Sequence, residues 1–182
     1  MSGKASKLLM EGMCDFNKEE TDYLEIVCSS VFPWYHGMAT KNFPCLTHNL
    51  FKRTDTQEMG TVHSSYAFKA EQLVRRLFER NNITLRTIYR MAYNLTYADP
   101  SKHGDPHNDH ADFPHKNLLI YLNKFDNGET FLFDETGTHI VEVIKPAMDK
   151  FAIFDGGFHA QGFCRPQQCR QVLVMTFDGD VP

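Results

Sequence analysis

Past Ile83 the sequence loses its helical signals and does not regain them. Residues 84–97 are dense in Ile, Tyr, Thr and Leu and read as one long strand. A polar loop over 98–105 follows. Short β candidates then occupy 116–123, 130–134, 139–144, 150–155 and 171–177. Asp126-Asn-Gly128 and Glu135-Thr-Gly137 have the composition of hairpin turns. Parallel neighbours need long crossovers, usually helices, and none is offered between these segments. The second half of the chain therefore points to an antiparallel sandwich or barrel.

Residues 1–83 read differently. Asn17-Lys-Glu-Glu20 has capping-box spacing and precedes a helical stripe of Leu24, Val27, Cys28 and Val31, with Pro33 as the stop. Ala70, Leu73, Val74 and Leu77 form a second stripe, which Asn81-Asn82 closes. Phe32-Pro-Trp-Tyr35 and Phe43-Pro44 read as an extended aromatic loop between the two helices. No repeat, low-complexity tract or linker divides the chain. The expectation is a single α+β domain over 1–182: a helical support region at 1–83 packed on one sheet of a mainly β core at 84–180.

Composition removes several classes. At 42% hydrophobic and 13% aromatic, the chain is too apolar for intrinsic disorder. The longest wholly apolar run, Leu118 to Leu122, is far too short to span a membrane. The N-terminus lacks the apolar stretch of a secretory signal. A net charge of −4 without a basic stripe argues against nucleic acid as partner. Five cysteines, an odd number without a C-x-x-C, read as reduced thiols in a cytoplasmic setting. Cys164 and Cys169 could form half a metal site, but no second pair matches them.

Histidine is the unusual residue. There are nine, four of them between His103 and His115. Residues 106–115 contain two overlapping H-x-D units, His107-Asn-Asp109 and His110-Ala-Asp112. On an extended chain, residues i and i+2 point the same way, so each unit sets an imidazole beside a carboxylate. His159 lies 50 residues beyond Asp109, and Arg170 lies 11 residues beyond that. A distant second histidine completes a set of two imidazoles and one carboxylate. Such a set leaves positions open on a ferrous ion. Oxygen chemistry there needs an electron source such as 2-oxoglutarate, whose far carboxylate calls for a fixed cation. Arg170, on a strand, offers a bidentate fork.

At these residues the sequence resembles the Fe(II)/2-oxoglutarate-dependent oxygenases, in their prolyl-4-hydroxylase-like branch. The resemblance runs from about Thr87 to Phe177. Its landmarks are Pro106-His-Asn-Asp109, Leu119-Ile-Tyr-Leu-Asn123, Gly128-Glu-Thr130, Lys145-Pro146, Phe154-Asp-Gly-Gly-Phe-His159 and Arg170-Gln-Val-Leu-Val174. Phe32-Pro-Trp-Tyr35, with His48 downstream, is similar to viral and marine-microbial relatives; the expected setting is cytoplasmic, a host cytoplasm if the protein is viral. The resemblance implies a double-stranded β-helix, or jelly roll, with N-terminal helices packed on its major sheet. It implies a dioxygenase that hydroxylates a prolyl or other amino-acid side chain, in a peptide, protein or small molecule, releasing succinate and CO2. Fe(II), 2-oxoglutarate and O2 are the implied cofactors, with ascorbate as an accessory reductant. His107, Asp109 and His159 would be metal ligands and catalytic residues. Arg170 and Tyr121 would hold the cosubstrate. One departure stands out: the family often places two glycines before the Glu-Thr, and here the first is Asn127.

The duplicated motif leaves two registers. In a jelly roll the chain must cross about 10 Å between sheets after the metal-binding strand. Six residues separate Asp109 from the strand start at Lys116, and three separate Asp112 from it, one of them Pro114. Length favours His107/Asp109 and keeps His110/Asp112 in reserve. Bland roles compete throughout. His159 could be a turn histidine after Gly156-Gly157, and Arg170 a surface ion pair with Arg165 as rival cation. Tyr121 could be core. Tyr93 and Asn94 could pack or reach the cosubstrate. His115 reads as a strand start; His36, His48, His63 and His139 read as structural or exposed, and Trp34 as core. The rival functions are a cupin-like binding module and, last, a zinc hydrolase.

Overall fold

In the computed structural model, which describes residues 5–40, 42–53, 59–110 and 112–182, the strands form two antiparallel sheets. Chain order is β1 (Leu8–Met13), α1 (Lys18–Cys28), β2 (Tyr35–Thr40), β3 (Phe43–Lys52), β4 (Thr61–Val62), α2 (Ala67–Arg80), β5 (Thr84–Tyr97), β6 (Lys116–Tyr121), β7 (Thr130–Phe133), β8 (Ile140–Ile144), β9 (Lys150–Asp155), β10 (His159–Gln161) and β11 (Cys169–Asp180). The large sheet runs β1-β9-β6-β11-β5-β3-β2, with β4 on β3; the small sheet runs β10-β7-β8. Single bridges at His103–Gly162 and His107–His159 lay the incoming loop along the free edge of β10.

Period-2 alternation decides what each face of the large sheet meets. Leu119, Tyr121, Ala152, Phe154 and Val172 point inward and pack with Leu132 and Ile144 of the small sheet. Met91, Tyr93, Leu118, Ile120, Leu173 and Met175 point outward, into one cluster with Tyr23, Leu24 and Val27 of α1 and Leu73, Val74 and Leu77 of α2. This is the jelly roll expected, with both helices on the outer face of its major sheet.

The helices form for the reasons their sequence gives. Asn17 Oδ1 accepts from the Glu20 amide at 3.0 Å, and Glu20 Oε2 accepts from the Asn17 amide at 2.9 Å. Buried Glu20 also takes Arg80 Nη1 at 3.3 Å, tying α1 to the end of α2. The α1 helix stops at Cys28, capped by Ser29, five residues before Pro33.

The region 1–83 is not only helical, however. It carries β1 to β4, two of them beginning where the sequence predicts an aromatic loop. β1 pairs with β9 and β3 with β5, so this segment widens the large sheet at both edges. Proline masked the signal: Pro44 sits near the start of β3, where a missing amide is tolerated.

The two turns also separate. Glu135-Thr-Gly137 closes the β7–β8 hairpin, with Gly137 at φ 72°. Asp126-Asn-Gly128 instead carries the chain from the large sheet to the small one. Asn127 and Gly128 sit at φ 61° and 70° there, so asparagine fills the left-handed position in which the resembling family uses glycine. The five cysteines are free thiols. Among the described residues no helix is long and apolar enough to cross a membrane. Ala111, inside the second H-x-D unit, and residues 1–4 lie outside the described residues.

Candidate metal centre

Backbone pairing brings the first histidine and the second together. His107 and His159 exchange amide and carbonyl bonds at 3.0 Å each, which sets their rings 4.6 Å apart, centre to centre. Asp109, two residues on, projects from the same side. One ligand atom each from His107, Asp109 and His159 lies within 4.8 Å of the others. His107 Nδ1 donates to the Asp105 carbonyl and His159 Nδ1 to the Gly157 carbonyl, both at 3.0 Å. Those bonds fix the tautomer, so both Nε2 lone pairs are free for an ion, with the rings already oriented.

The Asp109 carboxylate has a different partner on each oxygen. Oδ1 accepts from Arg90 Nη1 at 3.1 Å, and Oδ2 lies 3.4 Å from His159 Nε2. Burial alone would raise this carboxyl; His159, Arg90, His107 and His115 outweigh it and hold it well below the usual range. Burial pushes the His159 imidazole down to about 4, against the pull of Asp109. The neutral ring this favours is the form that binds metal.

A cavity of about 330 Å³ opens from this cluster. At its other end is Arg170, opposite Thr96 in the β11–β5 ladder and 4% exposed. Arg170 Nε donates to the Gly128 carbonyl and Nη2 to Thr130 Oγ1, both at 3.1 Å. Gly128 must be glycine-like on two counts: its φ is positive, and a Cβ would fall 2.7 Å from the Phe125 ring. Among the described residues no carboxylate pairs with Arg170. Burial lowers its pKa. The rival cation, Arg165, is exposed and faces Asp126 at 3.4 Å.

Tyr121 is fully buried, behind the cavity wall. Its hydroxyl meets Thr130 Oγ1 at 2.9 Å, and its ring lies 5.5 Å from the Arg170 guanidinium. Between the two ends, Leu119, Val172 and Val174 make an apolar wall, and Thr47, Asn49 and Asn94 a polar one. Thr96 Oγ1, Asn117 Nδ2 and Gln161 Nε2 are buried on this lining without a hydrogen-bond partner among the described residues. Buried polar atoms ordinarily find a partner, from protein or water.

The second H-x-D unit goes elsewhere. His110 Nε2 meets Thr176 Oγ1 at 2.9 Å, and its ring stacks on Phe113. Asp112 is largely exposed, 3.5 Å from Arg53. His48 is structural, donating to the Pro33 carbonyl and accepting from Ser64. Tyr93 faces the helices and donates to the Tyr23 hydroxyl, whereas Asn94 faces the cavity. Sequence reasoning missed Arg90, Thr47, Asn49 and His36 on the lining. The signal for Arg90 was parity alone, since Arg90, Asn94 and Thr96 share one face of β5.

No family model matches the sequence, and no curated protein matches it. Solved structures do match the fold. A 2OG-Fe(II) oxygenase family oxidoreductase from Burkholderia pseudomallei superposes with TM-score 0.67 at 16% identity, over 96% of this chain and 85% of that one. A Trichoplax adhaerens prolyl hydroxylase, solved with a hypoxia inducible factor oxygen degradation domain peptide, gives 0.57 at 15%, over 93% and 83%. A Pseudomonas putida prolyl-4-hydroxylase gives 0.53 at 14%, over 96% and 92%. The chain has the fold of these oxygenases and prolyl hydroxylases.

Proposed function

We propose that the protein is an Fe(II)- and 2-oxoglutarate-dependent dioxygenase that hydroxylates a prolyl or other amino-acid side chain, releasing succinate and CO2. One observation carries this: the cavity that holds the His107, Asp109 and His159 donors ends in a buried arginine that no carboxylate among the described residues faces. A bare metal-binding module has no use for such a cation. A dicarboxylic keto acid does, at the end remote from the metal.

His107, Asp109 and His159 would hold the iron, whose imidazole-and-carboxylate donor set suits a ferrous ion with open positions. Iron and cosubstrate together supply oxygen activation and the electrons for it. The rest falls to this chain. Arg170 binds the far carboxylate, helped by Thr130 and by the unpartnered Thr96 hydroxyl. Tyr121 holds Thr130 and flanks the guanidinium. Leu119, Val172 and Val174 exclude water along the keto-acid path, and Thr47, Asn49 and Asn94 face the substrate side. The peptide-bound Trichoplax relative supports a peptide or protein substrate, and the mouth beside exposed His36 and Met38 leaves room for one. Free buried thiols agree with a reducing, cytoplasm-like compartment.

Anaerobic titration of the iron-loaded protein with 2-oxoglutarate tests this. A weak visible charge-transfer band should appear with the wild type and need roughly 100-fold more 2-oxoglutarate with Arg170→Leu. Incubation in air with a peptide library should then give products heavier by one oxygen. A wild-type protein that takes up iron and develops no band refutes the proposal.

A further inference from the structure

The inward face of β5 places Arg90 directly across from Thr176 on β11, which in turn faces Asn117 on β6. This polar row lies level with the metal donors. Arg90 is the member that reaches them, through its 3.1 Å bond to Asp109 Oδ1. The carboxylate thereby has one oxygen committed to a guanidinium and the other turned toward the imidazoles.

That division matters for the chemistry. A carboxylate can bind an ion through one oxygen or through both. Two imidazoles and one carboxylate oxygen leave three corners of an octahedron open. A keto acid that chelated would use two of them, leaving the last for oxygen. If Asp109 bound through both oxygens, one of those corners would close.

We propose that Arg90 is a positioning residue that keeps Asp109 a one-oxygen ligand by occupying Oδ1. The inference rests on the metal assignment of His107, Asp109 and His159. An ordinary surface ion pair would count for little. This one differs, because the Asp109 side chain is 12% exposed and lies inside the cavity. Arg90 comes from a different strand than the ligands, so its grip is set by the β5–β11 ladder and not by the metal-binding loop itself.

The carboxylate stretching bands read the binding mode directly. Their separation is wide for one-oxygen binding and narrow for two-oxygen binding. The full chain, labelled with 13C-aspartate, is compared with and without Mn(II) by difference infrared spectroscopy, as wild type, Arg90→Ala, Arg90→Lys and the surface control Arg86→Ala. Manganese affinity is measured in parallel from free-ion spin resonance. Wild type, R86A and R90K should keep the wide separation, and R90A should show the narrow one. Iron-loaded R90A carrying 2-oxoglutarate should also bind nitric oxide, an oxygen surrogate, at least roughly 10-fold more weakly. Should R90A fail to fold, Arg90→Met, which has no donor to offer Oδ1, takes its place in the same comparison, and a wide separation in it counts as one in the alanine variant. A wide separation in the alanine or methionine variant overturns the proposal, as does a loss that lysine does not repair. A wild-type protein that takes up no manganese refutes the metal assignment instead, so the two failures are distinct.

Discussion

His107-Asn-Asp109 and His110-Ala-Asp112 spell one motif three residues apart, and the fold treats them oppositely. The first pairs its backbone with β10 and so meets His159. The second, past the end of that pairing, folds its histidine onto Phe113 and leaves its aspartate in solvent against Arg53. The motif therefore does not make the site. Hydrogen-bonded register does, because it fixes which imidazole stands beside a donor from a distant strand. Each unit predicts a different phenotype, and the contrast is open to breakage at several points.

The largest effect belongs to Asp109. Asp109→Ala should lower iron-dependent succinate formation by at least about 1,000-fold, since one ligand and the only carboxylate in the donor set are lost together. Normal turnover in this variant would reverse the ranking of the two units. Next comes Arg170→Ala, which should raise the half-saturating 2-oxoglutarate concentration by roughly 10- to 100-fold through loss of a charge-assisted contact, read by succinate release.

Acid sharpens the comparison, because His159, which meets the first unit, and His110 of the second are both only partly exposed. Burial pushes His159 and His110 down to about 4 from 6.5. The unfolded chain therefore takes up these protons first as pH falls. Metal-free protein should be at full stability above about pH 6.5 and lose it as pH drops toward 4, by up to about 3 kcal/mol for His159. Urea unfolding at pH 7 and pH 5 measures this, and His159→Gln and His110→Gln should each flatten the pH slope. Equal slopes in all three proteins would contradict the environments described.

The smallest effects fall on the second unit. His110→Ala should cost about 1–2 kcal/mol of stability, from the Thr176 bond and the Phe113 stack, with manganese affinity unchanged. Asp112→Asn should stay within about 0.5 kcal/mol, as an exposed ion pair implies. A tenfold loss of metal affinity in either would return the second unit to the site.

Legibility followed burial. β9 stands where the sequence puts it because it is written in continuous Phe, Ala and Ile, and β5 because Met91, Tyr93 and Leu95 alternate with Arg90, Asn94 and Thr96. The capping box of α1 was readable because both of its bonds are local. β2 and β3 were not, since Pro44 breaks the pattern, and pairing of β3 with β5 and of β2 with β3, not propensity, makes them strands. β10 is three residues long and exists through its partners. The His-Asp-His set and Arg170 could be named from spacing. Arg90 could not, because a charged residue on a strand looks solvated until the register across β11 is known.

β11, last of the strands in chain order, lies between β6 and β5 in the middle of the large sheet. Likewise β1, the first strand, pairs Leu8 with Phe154. On the ribosome, then, the barrel cannot close piecemeal. Until residues 169–180 emerge, β5 and β6 have no shared neighbour, and the donors near residue 107 have no Arg170 across from them. A nascent or truncated chain would present two unpaired inner edges, an invitation to aggregate. Folding of this protein should follow the completion of its last strand, at the slow pace that distant pairing imposes.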